Sequence, residues 1–145
     1  MTESKLIKVG LFGTCNDSTW RYQLIPLLQL DFFNPVVKDW TPACQAEERH
    51  QREVCDYVLY TITPRMLGVY SIAEVVDDSN KRPEKTIFCL LESDGPIKFS
   101  FGELKSLHAV ADLVARNGAI CFYSLEQVAK YLNDRKAESQ ARSLL

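Results

Sequence analysis

The chain has 145 residues, of which 46% are hydrophobic and 25% are charged, a composition typical of one soluble globular domain. Its 17 Lys and Arg residues and 19 Asp and Glu residues give a formal net charge of −2. That balance excludes the strongly basic surface of a protein that binds nucleic acid polymers, but it is compatible with a small nucleotide ligand. No apolar run approaches the ~20 residues that span a bilayer, and the first residues lack the pattern of a signal peptide, so no membrane partner is predicted.

The cysteines and histidines bear on compartment and on metal binding. The five cysteines form no CxxC pair and are odd in number, which is typical of reduced thiols and predicts a cytoplasmic protein. The two histidines, His50 and His108, have no cysteine or histidine partner at ligand spacing. Neither a metal ion nor an organic cofactor is therefore predicted.

The first part of the chain predicts two strands and two helices. Leu6–Phe12 is an apolar run of strand length that ends at a glycine. Apolar residues then recur at helical spacing from Trp20, and Pro26 within this segment indicates either a late helix start or a kink. Asp31–Phe33 is predicted as a short strand that ends at an Asn-Pro turn. The polar segment Pro42–Val54 is predicted as a solvent-facing helix.

The second part of the chain continues the alternation. Asp56–Ile62 is rich in β-branched and aromatic residues and is the clearest strand of the sequence. Leu67–Val76 predicts a helix, Thr86–Leu91 a buried strand and Phe101–Arg116 an amphipathic helix. Ala119–Tyr123, which follows an Asn-Gly helix end, predicts the last strand.

The end of the chain predicts one more helix and a tail. Ser124 is the expected N-cap of a helix that runs to Leu132, and the polar residues 133–145 are predicted to fray. We therefore assign residues 1–132 to a single domain. Strands that alternate with helices predict parallel βαβ units, so the predicted fold is α/β, a three-layer flavodoxin-like or Rossmann-like sandwich with a five-stranded parallel sheet.

Candidate site residues follow from this fold, because such sheets bind ligands beyond the carboxyl ends of their strands. The candidates predicted near those ends are Gly13, Thr14, Asn34, Asp39, Trp40, Tyr70, Ser71 and Glu74. Gly13 allows a close approach to a ligand, but its loop matches neither GxGxxG nor a P-loop, and a plain tight turn is the alternative. Glu74 is either a partly desolvated carboxylate at the site or a carboxylate on the solvent face of its helix.

An ordered set of short motifs is recognisable across much of the chain. Its members are Gly13-Thr14 at the end of the first strand, Trp20, Asn34-Pro35, Asp39-Trp40, Cys55-Asp56 and the helical segment Tyr70–Glu74. In order and spacing, the set resembles the nucleoside 2-deoxyribosyltransferase-like family, in particular its shorter, divergent branch. The resemblance covers about Leu6 to Leu91, and the last third of the chain agrees only in fold pattern.

The resemblance implies roles for several of these residues. Glu74 would attack the anomeric carbon of a nucleoside or nucleotide and form a glycosyl-enzyme ester, which a second base or water then resolves. Asp56 would assist with the base, and Asp39 is its rival because Asp56 enters the third strand rather than following it. Gly13 and Thr14 would line the sugar and base pocket, and the further predicted substrate-binding residues are Asn34, Trp40, Tyr70 and Ser71.

The resemblance also implies a homo-oligomer and leaves two functions open. Related enzymes complete their pockets with a neighbouring subunit, and Pro96–Phe101 would be the contact here. Many members carry a tyrosine in the first strand, where this chain has Val9–Phe12, and an acidic residue before the glutamate, where it has Met66–Val69. The first hypothesis is N-glycosyl transfer or hydrolysis on a nucleoside or nucleotide. The second is a non-catalytic nucleotide-binding protein that acts as a sensor or sequesters its ligand.

Overall fold

A sheet of five parallel strands forms the centre of residues 7–144, the part of the chain that the computed structural model describes. The strands of this part are β1 (Lys8–Gly13), β2 (Asp31–Phe33), β3 (Tyr57–Ile62), β4 (Thr86–Leu90), β5 (Ser93–Asp94), β6 (Ile97–Lys98) and β7 (Ile120–Phe122). The central sheet has the order β2-β1-β3-β4-β7, and β5 and β6 form a separate antiparallel hairpin. The first residue of the predicted first strand, Leu6, lies outside the described residues, as does the segment inspected for a signal peptide.

Helices cover both faces of the central sheet. They are α1 (Trp20–Leu24), α2 (Pro42–Val54), α3 (Tyr70–Lys81), α4 (Phe101–Arg116) and α5 (Leu125–Ser143). Buried residues of α1 and α5 pack on one face, and buried residues of α3 and α4 pack on the other. The α/β three-layer sandwich predicted from the sequence is therefore confirmed. Within residues 7–144, no helix is long and apolar enough to cross a membrane.

The apolar strands explain the parallel sheet. Every residue of β4 is buried, as are five of the six residues of β3, because both strands lie in the interior of the sheet with helices above and below. Continuous apolar runs of this kind do not suit a sheet with one face in water. In the first crossover, α1 begins at Trp20, so the late helix start is wrong. Pro26 instead interrupts the helix, which changes into a 3₁₀ turn over Ile25–Leu27.

Two helix predictions need correction. The helix predicted over Leu67–Val76 begins instead at Tyr70, because the preceding residues form a turn in which the Met66 N–H donates to the Thr63 carbonyl at 3.0 Å. It continues to Lys81 because the polar end of the helix is held by charges on α2, a contact that composition does not reveal. The short hairpin of β5 and β6 was not predicted.

The C-terminal segment predicted to fray is also different in the structure. Helix α5 continues without a break to Ser143. Asn133 accepts a hydrogen bond from the Gln29 backbone N–H at 2.8 Å and donates to the Leu27 carbonyl at 2.9 Å. These bonds fix the helix to the loop after α1, and ion pairs one turn apart support its exposed side. The prediction of a frayed tail is therefore wrong for residues 133–143.

One glycine at the end of β1 is required by the close approach of β3. Gly13 has a φ of +119°, and a Cβ atom there would lie 2.1 Å from the Thr61 carbonyl oxygen. Both the backbone conformation and the lack of space exclude a side chain. The tight turn considered for this loop is therefore required by the close packing of β1 against β3.

We expect Gly13→Ala to lower the free energy of unfolding by roughly 2–4 kcal/mol, because the methyl group adds backbone strain and a clash. Urea denaturation followed by circular dichroism measures this change. Gly102→Ala is the matched control, since a Cβ on Gly102 meets nothing within 4 Å and lies in a helix. Equal stability of the two variants would contradict the prediction.

Candidate functional site

A cleft of about 360 Å³ lies at the carboxyl ends of β1 and β3. In the sheet, β2 lies on one side of β1, and β3, β4 and β7 follow on the other side. The strand order therefore reverses between β1 and β3, which is where ligands bind in sheets of this kind. The residues that line the cleft are Phe12, Gly13, Cys15, Arg21, Pro35, Val36, Val37, Trp40, Glu48, Tyr70, Ser71 and Glu74. The cleft is the best candidate for a functional site because it combines this position with aromatic rings, carboxyl groups and an arginine.

Glu74 lies in the second turn of α3 and faces the cleft. Its side chain is only 11% exposed, and its carboxylate lies 3.5 Å from Nη1 of Arg52. Burial raises the pKa of Glu74 to about 7, against the opposing charge of Arg52 and together with the repulsion of Glu48. Of the two interpretations of Glu74, the structure supports the partly desolvated carboxylate rather than the solvent-facing one.

A buried ion cluster anchors Glu74 from below. Arg52 of α2 donates to both carboxylate oxygens of Asp78, at 3.1 and 3.0 Å, and to Asp77 at 2.9 Å. The hydroxyl of Tyr60 on β3 donates to Asp78 at 2.5 Å. Asp78 is fully buried, and these bonds compensate the loss of its hydration. The cluster therefore fixes α2, α3 and β3 to one another directly beneath the cleft.

A second carboxyl group of the cleft, Glu48 of α2, was missed by the sequence analysis. The segment around it was interpreted as a solvated helix face, but Gln51 and Arg52 are buried and Glu48 lines the cleft. Burial raises the pKa of Glu48 against the opposing effects of Trp40, Arg21 and Arg52. The available signal was the spacing of Glu48, Gln51, Arg52 and Cys55, which places polar groups and a thiol on one helix face.

The predicted substrate-binding residues lie in three different settings. Gly13, Trp40, Tyr70 and Ser71 line the cleft. Asn34 lines a smaller adjoining cavity, where its side-chain oxygen Oδ1 accepts a hydrogen bond from the Val36 N–H at 3.1 Å. The Thr14 hydroxyl is buried and accepts a hydrogen bond from the Thr63 N–H at 3.0 Å, so it supports the loops rather than lining either cavity.

The two aspartates considered as helpers of Glu74 are not brought to it. Asp56 lies at the amino end of β3 and accepts a hydrogen bond from the Lys8 N–H at 2.8 Å. The amino ends of the strands lie on the side of the sheet opposite to the carboxyl ends, where the cleft is. Asp56 therefore cannot contact a substrate that Glu74 contacts. Asp39 is exposed in the loop before α2, and it is not among the cleft-lining residues, unlike its neighbour Trp40.

Comparison of the chain with protein-family models, with curated proteins and with solved structures finds no match in any of the three. The chemistry of the cleft is therefore argued from its own geometry. Two partly buried carboxyl groups facing one cleft can attack an electrophilic carbon and transfer a proton to a leaving group. The aromatic rings of Trp40 and Tyr70 offer faces on which a flat heterocycle can stack.

The raised pKa of Glu74 predicts a pH-dependent stability difference between the wild type and Glu74→Gln. The unfolded carboxyl has a pKa of 4.5 and the folded one about 7, so the folded wild type holds a proton that the unfolded chain has released. The wild type therefore loses stability as the pH rises from about 4.5 to about 7. We expect the free energy of unfolding of Glu74→Gln, minus that of the wild type, to increase by about 1–3 kcal/mol between pH 5 and pH 8.

The measurement is urea denaturation of both proteins at several pH values. Glu126→Gln is the control, because Glu126 is exposed on α5, far from the cleft in sequence and on the other face of the sheet. Its difference from the wild type should stay flat over the same range. A flat or falling difference for Glu74→Gln would show that Glu74 is ionised in the folded protein throughout.

Proposed function

We propose that this protein transfers or hydrolyses the N-glycosidic bond of a nucleoside or nucleotide, with Glu74 as the nucleophile. The observation that carries the proposal is the placement of Glu74 and Glu48 in one aromatic-lined cleft at the carboxyl ends of β1 and β3. Glycosyl transfer with retention needs two carboxyl groups, one that attacks the anomeric carbon and one that exchanges protons. The sequence resemblance suggests Glu74 as the group that attacks. The position of Glu48 in the same cleft supports it as the group that exchanges protons.

The proposed reaction has two steps. The Glu74 carboxylate attacks the anomeric carbon, the bond to the base nitrogen breaks, and its electron pair leaves with the base. Glu48, the second carboxyl group of the cleft, gives that nitrogen its proton from its protonated form. Water or a second base then attacks the glycosyl-enzyme ester, and the Glu48 carboxylate removes the proton from the attacking group.

The rest of the cleft supports this reaction. Arg52 lies 3.5 Å from Glu74 and stabilises its ionised form, which is the form that attacks. Trp40 and Tyr70 flank the cleft with exposed rings, suited to the base of a nucleoside. Tyr70 also places a phenol hydroxyl one helical turn before Glu74, so it is the candidate to replace the tyrosine that the first strand lacks.

Glu74→Gln tests the nucleophile. It keeps the shape of the side chain and removes the attacking charge, so we expect base release to fall about 10³-fold or more. The assay incubates the protein with the four deoxynucleosides and their 5′-monophosphates, with and without an acceptor base, and separates the products by chromatography. Free base indicates hydrolysis, and exchanged base indicates transfer. Glu126→Gln should retain wild-type turnover.

The pH profile provides an independent reading of the same group. Because the pKa of Glu74 is about 7, kcat/KM should rise with pH through about 7 as the carboxyl ionises. Turnover of Glu74→Gln within a few-fold of the wild type would refute the proposed role. A wild type that binds deoxynucleotide but releases no base would instead support the second hypothesis, a nucleotide sensor or sequestering protein.

We infer that the chain forms a homo-oligomer through the face between α3 and α4. A groove of about 1040 Å³ lies there, with an apolar lining that includes Met66, Val69 and Phe99. Phe101, at the start of α4, is 87% exposed and stands beside this groove in sequence. A groove with an apolar lining and an exposed phenylalanine beside it can accept apolar side chains of a second copy of the chain. The segment predicted as a contact, Pro96–Phe101, therefore adjoins a larger apolar surface than the sequence indicated.

Phe101→Asp should convert the oligomer to a monomer, because it places a charge in the contact while an acidic residue suits the first turn of α4. Light scattering at micromolar concentration measures the mass. Leu144→Asp is the matched control, since Leu144 is also 87% exposed but lies at the end of α5. A wild type that is monomeric at these concentrations would contradict the inference.

A further inference from the structure

Arg21 is a buried cation with hydrogen-bond donors left over. Arg21 is 4% exposed, and three backbone carbonyls hold its guanidinium at the end of β1. Nε donates to Leu11 at 2.9 Å, Nη1 donates to Thr14 at 2.7 Å, and Nη2 donates to Gly13 at 3.3 Å. A guanidinium carries five N–H groups, so one on Nη1 and one on Nη2 remain without these partners. The Cys15 sulfur is a weak acceptor beside one of these groups, and a stronger acceptor such as a phosphate oxygen would replace it.

The charge of Arg21 is only partly compensated by its neighbours, which are the Trp20 ring, with its centroid 4.4 Å from the guanidinium carbon, the Cys15 side chain and the Glu48 carboxyl group. Among residues 7–144, no carboxylate lies within the 4.0 Å of an ion pair with Arg21, whereas Arg52 contacts three. Burial lowers the pKa of Arg21, which shows the unfavourable energy of holding this charge away from water. A buried charge of this kind is stabilised when an anion binds beside it.

A second, smaller cavity borders Arg21, and its lining combines several polar side chains with a larger share of apolar surface. It has a volume of about 210 Å³ and shares Cys15, Arg21 and Val36 with the cleft. Its remaining lining residues are Asn16, Asp17, Ser18, Tyr22 and Asn34. Neither Glu48 nor Glu74 lines it, so an anion there avoids the two carboxyl groups of the cleft. Its one carboxylate, Asp17, belongs to an exposed residue whose charge is screened by water.

We propose that this cavity, with Arg21 as its cation, binds the phosphate monoester of a nucleotide whose sugar and base occupy the cleft. The proposal rests on the proposed function and deepens it, because it selects a nucleotide over a nucleoside as the substrate. Two N–H groups on neighbouring guanidinium nitrogens match two oxygens of a phosphate. Arg21 borders both cavities, so one ligand can contact it with its phosphate and still reach Glu74 with its sugar.

The first test compares kcat/KM for a deoxynucleoside 5′-monophosphate and for the nucleoside with the same base. The wild type should prefer the nucleotide at least 100-fold. Asn34→Asp should reduce this preference 10-fold or more, because it places a negative charge in the cavity while keeping the oxygen that accepts from Val36. Gln23→Glu is the control with the same charge change, since Gln23 is on α1 and lines neither cavity.

The second test measures binding by calorimetry with 2-deoxyribose 5-phosphate and 2-deoxyribose, neither of which has a bond to be cleaved. The wild type and Glu74→Gln should both bind the phosphate at least 30-fold more tightly than the free sugar. Arg21→Gln should lose that difference, and Arg21→Lys should keep part of it. Should the Arg21 variants fail to fold, Asn34→Asp repeats the test without touching the buried guanidinium.

The outcomes separate the subsite from the reaction. Equal use of nucleoside and nucleotide, with equal binding of the two sugars, overturns the phosphate subsite and leaves the proposed reaction standing. Preferential binding of the phosphate without any base release overturns the reaction and supports the subsite. An Asn34→Asp variant that keeps the full preference for the nucleotide also overturns the subsite.

Discussion

The cleft depends on the pairing of Arg52 with Asp78 between α2 and α3. Both side chains are buried, and although Asp78 also pairs with Arg82 at the end of α3, Arg52 finds carboxylate partners only when α2 packs against α3. Removing one partner from a buried pair is typically unfavourable by about 3–5 kcal/mol, so the pair strongly favours the register in which the two helices pack. That register places Glu48 from α2 and Glu74 from α3 in the same cleft. The ion pair therefore sets the chemistry of the site without lining it.

The two arginines near the cleft differ in what surrounds them. Arg52 is surrounded by carboxylates from α3, and it is a structural cation whose outer nitrogen faces Glu74. Arg21 is surrounded by the carbonyls of β1 and the following loop, which solvate it without cancelling its charge. The first arrangement stabilises an anion that belongs to the protein. The second is suited to an anion that arrives with a ligand.

The fold was predictable because its signals are local. Buried strands such as β3 and β4 appear in the sequence as continuous apolar runs, and the alternation with helices implies the parallel sheet. The position of Glu74 was predictable for the same reason, since a helix after the third strand begins at the ligand-binding edge. The predictions that were wrong concern segments whose structure depends on contacts with residues far away in the sequence. Helix α3 extends to Lys81 because its aspartates meet Arg52, and α5 extends to Ser143 because Asn133 meets the loop after α1.

The site was predictable only in part, because charged residues have the same pattern in a sequence whether they are solvated or paired. Glu48, Arg21 and Arg52 all lie in polar or mixed segments that are typical of solvent-facing helices. Their burial results from the packing of α1 and α2 against the ends of β1 and β3, which involves residues far apart in the chain. Asp56 shows the opposite error. A sequence motif linked Asp56 to the site, but Asp56 precedes β3 and so lies at the amino ends of the strands, opposite the cleft.

The protonation of Glu74 links these features to one another. A ligand that fills the cleft removes water from Glu74, and the loss of water favours the neutral carboxyl, which cannot attack. Arg52 opposes this change because Asp78 and Asp77 hold it in place, so its charge stays 3.5 Å from Glu74 when the water leaves. A flexible lysine would move away to keep its own hydration. The buried cluster thus does more than connect two helices, because its charge favours the ionised carboxylate of Glu74 and limits the rise of the Glu74 pKa when a substrate expels water from the cleft.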